Sequence, residues 1–387
     1  MAGELIYLDN NATTQPLPEV VEAMLPFLRE SYANPSSVHR FGQSVRHQVE
    51  CARAQVADLI GAAPKEIIFT SSGTESINLA IRGYLKANPK RRRFVTTTVE
   101  HSCVLKVAEG LAADGYEVEY VGVDRDGRVR EDEWDEKLTP DTALASVIHA
   151  NNETGVVSNV ATLAGISAQR GVPVHLDAVQ SAGKLAIDVT SWPVQLLSLS
   201  AHKFHGPKGV GALYQRRRTR LEPLVLGGGQ ERELRGGTEH VAGIVGMGVA
   251  AQSAKKDRDD VSRRVASLRD ALESGILNAF DAASVNGGGA ERVHNTTNVS
   301  FEGLEAEAIL ILLSEAGICA SAGSACSSGS LEPSHVLKAM GTPERAGHGA
   351  IRFSLSKFNT RGEIDHVVQT MPELLARLTA LRNPRTV

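Results

Sequence analysis

The chain has 387 residues, 42% hydrophobic and 22% charged, with a formal net charge of −4. That length accommodates two domains with a large core, and the faintly acidic balance excludes a polyanion-binding role resting on total charge. Four cysteines (Cys51, Cys103, Cys319, Cys326), an acidic Met1-Ala2-Gly3-Glu4 start and no basic-then-apolar leader predict free thiols in a reducing cytoplasm.

Residues 5–8 read as a short apolar strand, followed by the polar turn Asp9-Asn10-Asn11-Ala12-Thr13-Thr14 and a helical pattern over Pro18–Arg29. After the loop Asn34-Pro35-Ser36-Ser37, residues 43–60 predict a long amphipathic helix that stops at Gly61. Residues 66–70 are strand-like, and Ser71-Ser72-Gly73-Thr74-Glu75-Ser76 opens a helix over 77–86. A glycine-bearing turn between strand and helix offers free N–H groups and a helix dipole to an anion. The same residues also fit an ordinary capping box, Ser72 with Glu75, and on this stretch alone both readings stand.

The alternation continues with strands Arg93–Thr97 and 117–123, a helix opened by Val99-Glu100-His101-Ser102, and further strands over 143–148, 173–176, 194–199 and 210–214. This order predicts a doubly wound α/β domain with a largely parallel sheet, whose ligand lies at the carboxyl ends of the strands. Polar residues fall on those ends. His101 follows one strand, Asn151-Asn152-Glu153-Thr154-Gly155 the next, then Asp177 with Gln180, then Lys203. In Ser200-Ala201-His202-Lys203-Phe204-His205-Gly206-Pro207, the lysine sits at a strand end before glycine and proline punctuation, poorly suited to core packing. An amine desolvated there is suited to forming an imine with a carbonyl cofactor.

The basic runs at 90–93 and 216–220 lack interleaved aromatics and read as solvated surface, which argues against nucleic-acid binding. The glycine-rich stretches 227–231 and 235–239 lead into a short helix over 241–251 that carries three glycines and is too short to span a membrane. A charged helix over 255–279 reads as an interdomain element. Strands near Ser284, 298–301 and 351–355, with helices over 306–316 and 363–381, predict a smaller α+β domain. Cys326 lies in Ala320-Ser321-Ala322-Gly323-Ser324-Ala325-Cys326-Ser327-Ser328-Gly329-Ser330, a composition that predicts an exposed, mobile loop and a reactive thiol. The other three cysteines lie in regular patterns and read as structural. The Cys319–Cys326 spacing matches no usual zinc site, and no intrinsic metal is expected.

Over nearly its whole length the chain resembles the NifS-type cysteine desulfurases, pyridoxal-phosphate enzymes of fold type I in the class V aminotransferase superfamily. The matching motifs are Tyr7-Leu8-Asp9-Asn10-Asn11-Ala12-Thr13-Thr14, Ser72-Gly73-Thr74-Glu75-Ser76, Ala150-Asn151-Asn152-Glu153-Thr154-Gly155, His175-Leu176-Asp177-Ala178-Val179-Gln180, Ala201-His202-Lys203-Phe204-His205-Gly206-Pro207-Lys208-Gly209 and Gly323-Ser324-Ala325-Cys326-Ser327-Ser328-Gly329. The resemblance implies an α/β fold-type I architecture: a large, mainly parallel-sheet pyridoxal-phosphate domain over 15–257, and a smaller α+β domain from 1–14 and 258–387 carrying the Cys326 loop and Arg352.

It further implies that Lys203 bonds pyridoxal 5′-phosphate, that Asp177 pairs with the pyridine nitrogen, and that His101 stacks on the ring and handles protons. Gly73, Thr74, Ser200 and His202 hold the phosphate, and Gln180 and Asn152 meet the hydroxyl side of the ring and the substrate. Arg352 grips the substrate carboxylate. Thr238 reaches the phosphate of a neighbouring subunit, so a homodimer with composite sites is implied. Cys326 is the nucleophile that takes sulfur from L-cysteine as a persulfide, leaving L-alanine, and passes it to an Fe–S scaffold protein, where it makes transient contact with the cluster. The short segment after Arg352 is closer to the nitrogen-fixation branch than to the housekeeping one. Two departures from the family pattern are His240, where asparagine is usual, and Ala322, where many members have serine. Another class V aminotransferase, a selenocysteine lyase and a silent sulfur-carrier protein are the competing readings.

Overall fold

The computed structural model describes residues 5–323 and 334–382, so the Cys326 loop lies outside the described residues. A seven-stranded sheet dominates, in the spatial order Ile67–Thr70, Gly211–Gln215, Leu196–Ser200, Val174–Asp177, Thr142–Ile148, Arg93–Thr97, Glu117–Val121. Neighbours are parallel except around Gly211–Gln215, which pairs antiparallel on both sides. The strand Ile67–Thr70 therefore points the same way as Leu196–Ser200, and the carboxyl ends of all the strands but one emerge on a single edge. Helices cover both faces, which is why Thr142–Ile148 is buried at every position and its sequence does not alternate. One apolar cluster contains Val95, Val147, Leu176 and Leu199; another, on the opposite side chains, contains Phe94, Leu144, Leu196 and Leu213.

A separate four-stranded antiparallel sheet runs Ser321–Ala322, Ala350–Ser354, Thr296–Phe301, Ala283–Val285, beside a parallel pair, Ile6–Tyr7 with Ile318–Cys319. Its cluster includes Leu8, Val299, Phe301, Ile351, Phe353 and Met371.

The sequence predicted separate helices over 241–251 and 255–279; the structure has one helix, Val241–Ala279, of 39 residues. At 1.5 Å per residue it is about 58 Å long. Nothing between the two predicted pieces breaks a helix. The change from apolar to charged composition marks instead a change of surroundings. Ile244, Met247 and Ala250 belong to the cluster of the large sheet, and Val265, Leu268, Leu272 and Ile276 to that of the small one. Glycine has a packing role at its start: a Cβ on Gly248 would lie 2.7 Å from Ala52 Cα, so only glycine lets this helix approach Arg40–Leu59 so closely. The predicted helix over 77–86 is also altered, starting at Gly73 and passing through a π-helical turn, Leu79–Gly83. Cys51, expected to be structural, is on the exposed face of Arg40–Leu59, 3.7 Å from His47 Nε2. The helical period that placed it in a helix does not put it on the buried stripe.

Candidate active site

The strand ends open into a cavity of about 300 Å³ whose lining includes Gly73, Thr74, His101, Asn152, Asp177, Gln180, Ser200, His202, Lys203 and Arg352. All of these were singled out in the sequence, and the parallel sheet is what gathers all but Arg352. Lys203 ends a 3₁₀ turn, Ala201–Lys203, directly after its strand, and Nζ donates to the carbonyls of Asn11 (2.5 Å) and Ala12 (2.9 Å). Asp177 ends Val174–Asp177 and accepts the Val179 N–H at 3.0 Å. Burial pushes its carboxyl up to about 6, against that hydrogen bond and the Lys203 cation, which favour the charged form.

The histidines are held neutral. Burial first, then Lys203 and His335, takes His101 down to about 4, and its Nδ1 accepts the Cys103 N–H at 3.1 Å. His202 is likewise pushed down to about 4 by burial and by Lys203 and Lys208, with Nδ1 3.1 Å from Thr13 Oγ1. At the helix start, Ser72 Oγ accepts the Glu75 N–H (3.1 Å), so the ordinary cap is formed. The Glu75 carboxylate does not complete a capping box; it pairs with Arg235 at 2.9 Å and accepts the Ser71 N–H at 2.8 Å. Cap and cavity wall coexist here. A Cβ on Gly73 would sit 2.9 Å from Val179 Cγ2 and 3.2 Å from Ser200 Cβ, so the glycine keeps the cradle open.

Arg352 enters from the other sheet, in Ala350–Ser354. It is 3% exposed, Nη2 lies 2.8 Å from Asp9 Oδ1, Nη1 donates to Asn152 O (3.0 Å), and Nε is buried with no partner. A guanidinium oriented by one carboxylate with a spare donor is prepared for a second, incoming carboxylate. The cavity is thus built from both sheets.

Several residues escaped the sequence reading of the site. Asn11 links both sheets: its backbone carbonyl accepts from Lys203 and Gln180, while its side chain donates to Asn152 O (3.1 Å) and Thr296 Oγ1 (2.9 Å). Glu100, beside His101, is fully buried. Oε1 accepts from Thr97 Oγ1 (2.7 Å) and the Ile148 N–H (2.8 Å), Oε2 has no partner, and burial, with the Asp177 charge adding to it, pushes its carboxyl up to about 8. Glu153 was quoted only as part of a motif. Its Oε2 accepts the Ser334 hydroxyl (2.5 Å) and would meet a Cβ on Gly323 at 2.4 Å, so one buried oxygen touches the last described residue before the Cys326 segment and the first after it. Burial raises this carboxyl above the usual range, with His335 and Arg352 opposing. Lys184 is buried behind Gln180. The available sequence signal was its place in Gln180-Ser181-Ala182-Gly183-Lys184-Leu185, a charge among small residues four positions past a site residue.

Thr238 is not in this cavity. It is exposed and lines a separate depression with Phe69, Ser71, Arg235 and His240. Cys326 lies outside the described residues, and among the described residues no cluster of His, Cys, Asp and Glu is arranged to hold a metal ion. Nor, among them, is any helix long and apolar enough to cross a membrane.

An α/β fold with a lysine and a buried carboxylate at the strand ends, and an arginine supplied by a second sheet, defines a fold-type I enzyme. The aminotransferase class-V family matches residues 6–367, and the chain belongs to it. Within that family it belongs with the NifS-type cysteine desulfurases. It is 51% identical over 377 residues to cysteine desulfurase 2 of Trichormus variabilis, covering 97% of this chain and 94% of the relative. It is also 49% identical over 374 residues to cysteine desulfurase NifS of Azotobacter vinelandii, covering 96% and 93%. Among solved structures, a NifS-like protein superposes with a TM-score of 0.92 at 39% identity, over 97% of this chain and all (100%) of that one.

Proposed function

We propose that the protein is a pyridoxal-phosphate-dependent cysteine desulfurase of the cytoplasm that converts L-cysteine to L-alanine and carries the sulfur away as a Cys326 persulfide. The observation that carries this reading is the meeting of Lys203, Asp177 and Arg352 in one cavity, two from the large sheet and one from the small. The residues fit the cofactor. Asp177 is a buried carboxylate held by the Val179 N–H and faced by a cation, suited to a protonated ring nitrogen. Gly73 leaves room that any side chain would fill, and with Thr74, Ser200 and His202 it would hold the phosphate. Lys203 would hold the carbonyl carbon and His101 the ring face. When bound, the cofactor withdraws electrons from the substrate Cα.

The chain's own groups do the rest. Arg352 grips the substrate carboxylate, and with Asn152 fixes which bond at Cα faces Lys203. Lys203, at the strand end, would take the Cα proton and later return a proton to the product. His101, neutral, is able to accept or donate a proton at the substrate. The Cys326 thiolate attacks the substrate sulfur; the S–S bond forms as the C–S bond breaks, and the bonding pair stays with the carbon skeleton that becomes alanine. Both boundaries of the segment carrying Cys326 adjoin residues that line the cavity without lining it themselves. Ser321 pairs with Arg352, and Ser334 bonds Glu153 beside Asn152.

We read residues 15–257 as the cofactor domain, and 1–14 with 258–387 as the domain carrying Arg352 and Cys326. The sulfur goes to an Fe–S scaffold protein, and the likeness to a NifS protein supports nitrogenase cluster assembly as its destination. The position of Thr238 outside its own chain's cavity supports a homodimer in which it serves the partner's phosphate site. The test is L-alanine and sulfide release from L-cysteine with and without Cys326. Cys326→Ala is expected to abolish sulfur transfer while the cofactor's visible absorption persists; alanine formation at the unaltered rate would overturn the assignment.

A further inference from the structure

Lys184 is 9% exposed and, among the described residues, forms no ion pair. Its Nζ donates to Gln180 Oε1 at 2.9 Å and to Asn11 Oδ1 at 3.3 Å. A lysine buried against amides alone is costly, because two neutral acceptors replace its hydration. Burial, with the nearby cations Lys203 and Arg352, takes its ammonium down to about 7. The other titratable groups facing it are His205 and His294.

Its geometry has a consequence for Gln180. As the ammonium, Lys184 offers only donors, so the atom it meets at 2.9 Å is the amide oxygen. On the other side, Gln180 Nε2 lies 2.9 Å from the Asn11 backbone carbonyl, which accepts only. Both ends of the amide are therefore assigned by partners that cannot exchange roles. Asn11 is fixed in the same way: its Nδ2 faces Asn152 O at 3.1 Å, leaving Oδ1 for Lys184. With Oε1 engaged behind the wall, what Gln180 has left for the cavity is the second N–H of Nε2.

We propose that Lys184 is a positioning residue that locks the Gln180 amide with its N–H edge toward the cavity, so that the site presents a donor, not a carbonyl oxygen, to the ring oxygen of the cofactor. The proposal rests on the reading that the cavity takes pyridoxal phosphate, and it adds the reason that this wall selects an anionic ring oxygen.

The experiment measures pyridoxal 5′-phosphate dissociation from the full-length protein by visible absorption, for the parent, Lys184→Met, Gln180→Ala and the double variant. Each single variant is expected to weaken binding about tenfold, and the double variant to be within about twofold of Gln180→Ala alone, because the lysine acts only through the amide. Lys184→Gln, which keeps the volume but offers both donor and acceptor, should fall between parent and Lys184→Met, and serves if the methionine variant does not fold. Unchanged affinity with a lowered melting temperature, or losses that multiply in the double variant, would overturn the proposal. A parent that binds the cofactor but makes no alanine from L-cysteine overturns the desulfurase reading and leaves this one to the cycle; a parent that binds none overturns both.

Discussion

The two sheets supply the cavity with groups of opposite electrical character. On the large-sheet side, burial drives His101, His202, Glu100 and Asp177 toward their neutral forms. On the small-sheet side, Arg352 is a guanidinium buried to the same depth, with Asp9 2.8 Å away as its counter-ion. The difference teaches a division of labour. Under the proposed function, a wall of weakly charged groups would leave the electron flow to the cofactor and Lys203, while a paired guanidinium would fix the substrate by its one permanent charge.

The sharpest way to break that division is to remove the one group that changes bonding partners. Lys203→Ala is expected to lower turnover by about 10²–10⁴-fold, the range for a lost general acid–base, and also to remove the imine absorption. Single-turnover kinetics on L-cysteine checks this. A variant of unaltered rate would move the proton transfer to another residue. On the opposite wall, Arg352→Lys keeps the charge but loses the fork. Losing one charge-assisted bond of about 1.5–3 kcal/mol predicts a drop of about 10–100-fold in kcat/KM, with most of it in KM. If kcat falls instead and KM holds, the arginine acts in the transition state and the division fails.

The boundary between the two sides is probed at Glu153. Ser334 caps the helix His335–Ala339 by accepting the Val336 N–H at 3.0 Å, and Glu153→Leu leaves the proton of that hydroxyl without an acceptor, which predicts a loss of about 1–3 kcal/mol in urea unfolding. Glu153 does not line the cavity, so the cofactor absorption should persist.

How much of this was legible in the sequence depended on the range of the interactions involved. The strands of the large sheet were readable because burial on both faces writes a continuous apolar run, and Gly, Pro and polar residues mark where it stops. The strand-end residues His101, Asn152, Asp177 and Lys203 were readable for the same reason: parallel topology converts a position in the sequence into a position on one edge. The family resemblance added roles that no pattern supplies, such as that of Arg352, whose strand resembles any other. Asn11 was quoted in a motif yet not assigned to the site, because its partners lie as much as 343 positions away. Glu100 and Lys184 were passed over because a lone charge among small and polar residues does not reveal whether it faces water or another buried dipole. The helix Val241–Ala279 was divided because a composition change resembles a boundary when the second apolar cluster is not in view.

The last test concerns Glu100, and it asks whether the large-sheet wall is truly held neutral. Its carboxyl is raised from 4.5 to about 8, so between those values the folded state retains a proton that the unfolded chain has released. Stability linked to this group is therefore complete below about pH 4.5 and is lost as pH climbs through about 8. The depressed histidines act the other way and lower down: His101, taken from 6.5 to about 4, contributes stability above pH 6.5 that is lost as pH falls toward 4. Comparing the parent with Glu100→Gln cancels the histidine contributions and isolates the carboxyl. The amide cannot ionise, so relative to the parent the variant should gain melting temperature steadily from about pH 5 to about pH 8. A difference that stays flat across that interval would mean that Glu100 is ionised in the fold, and the wall beside Asp177 would then carry a charge that the present geometry leaves without a counter-ion.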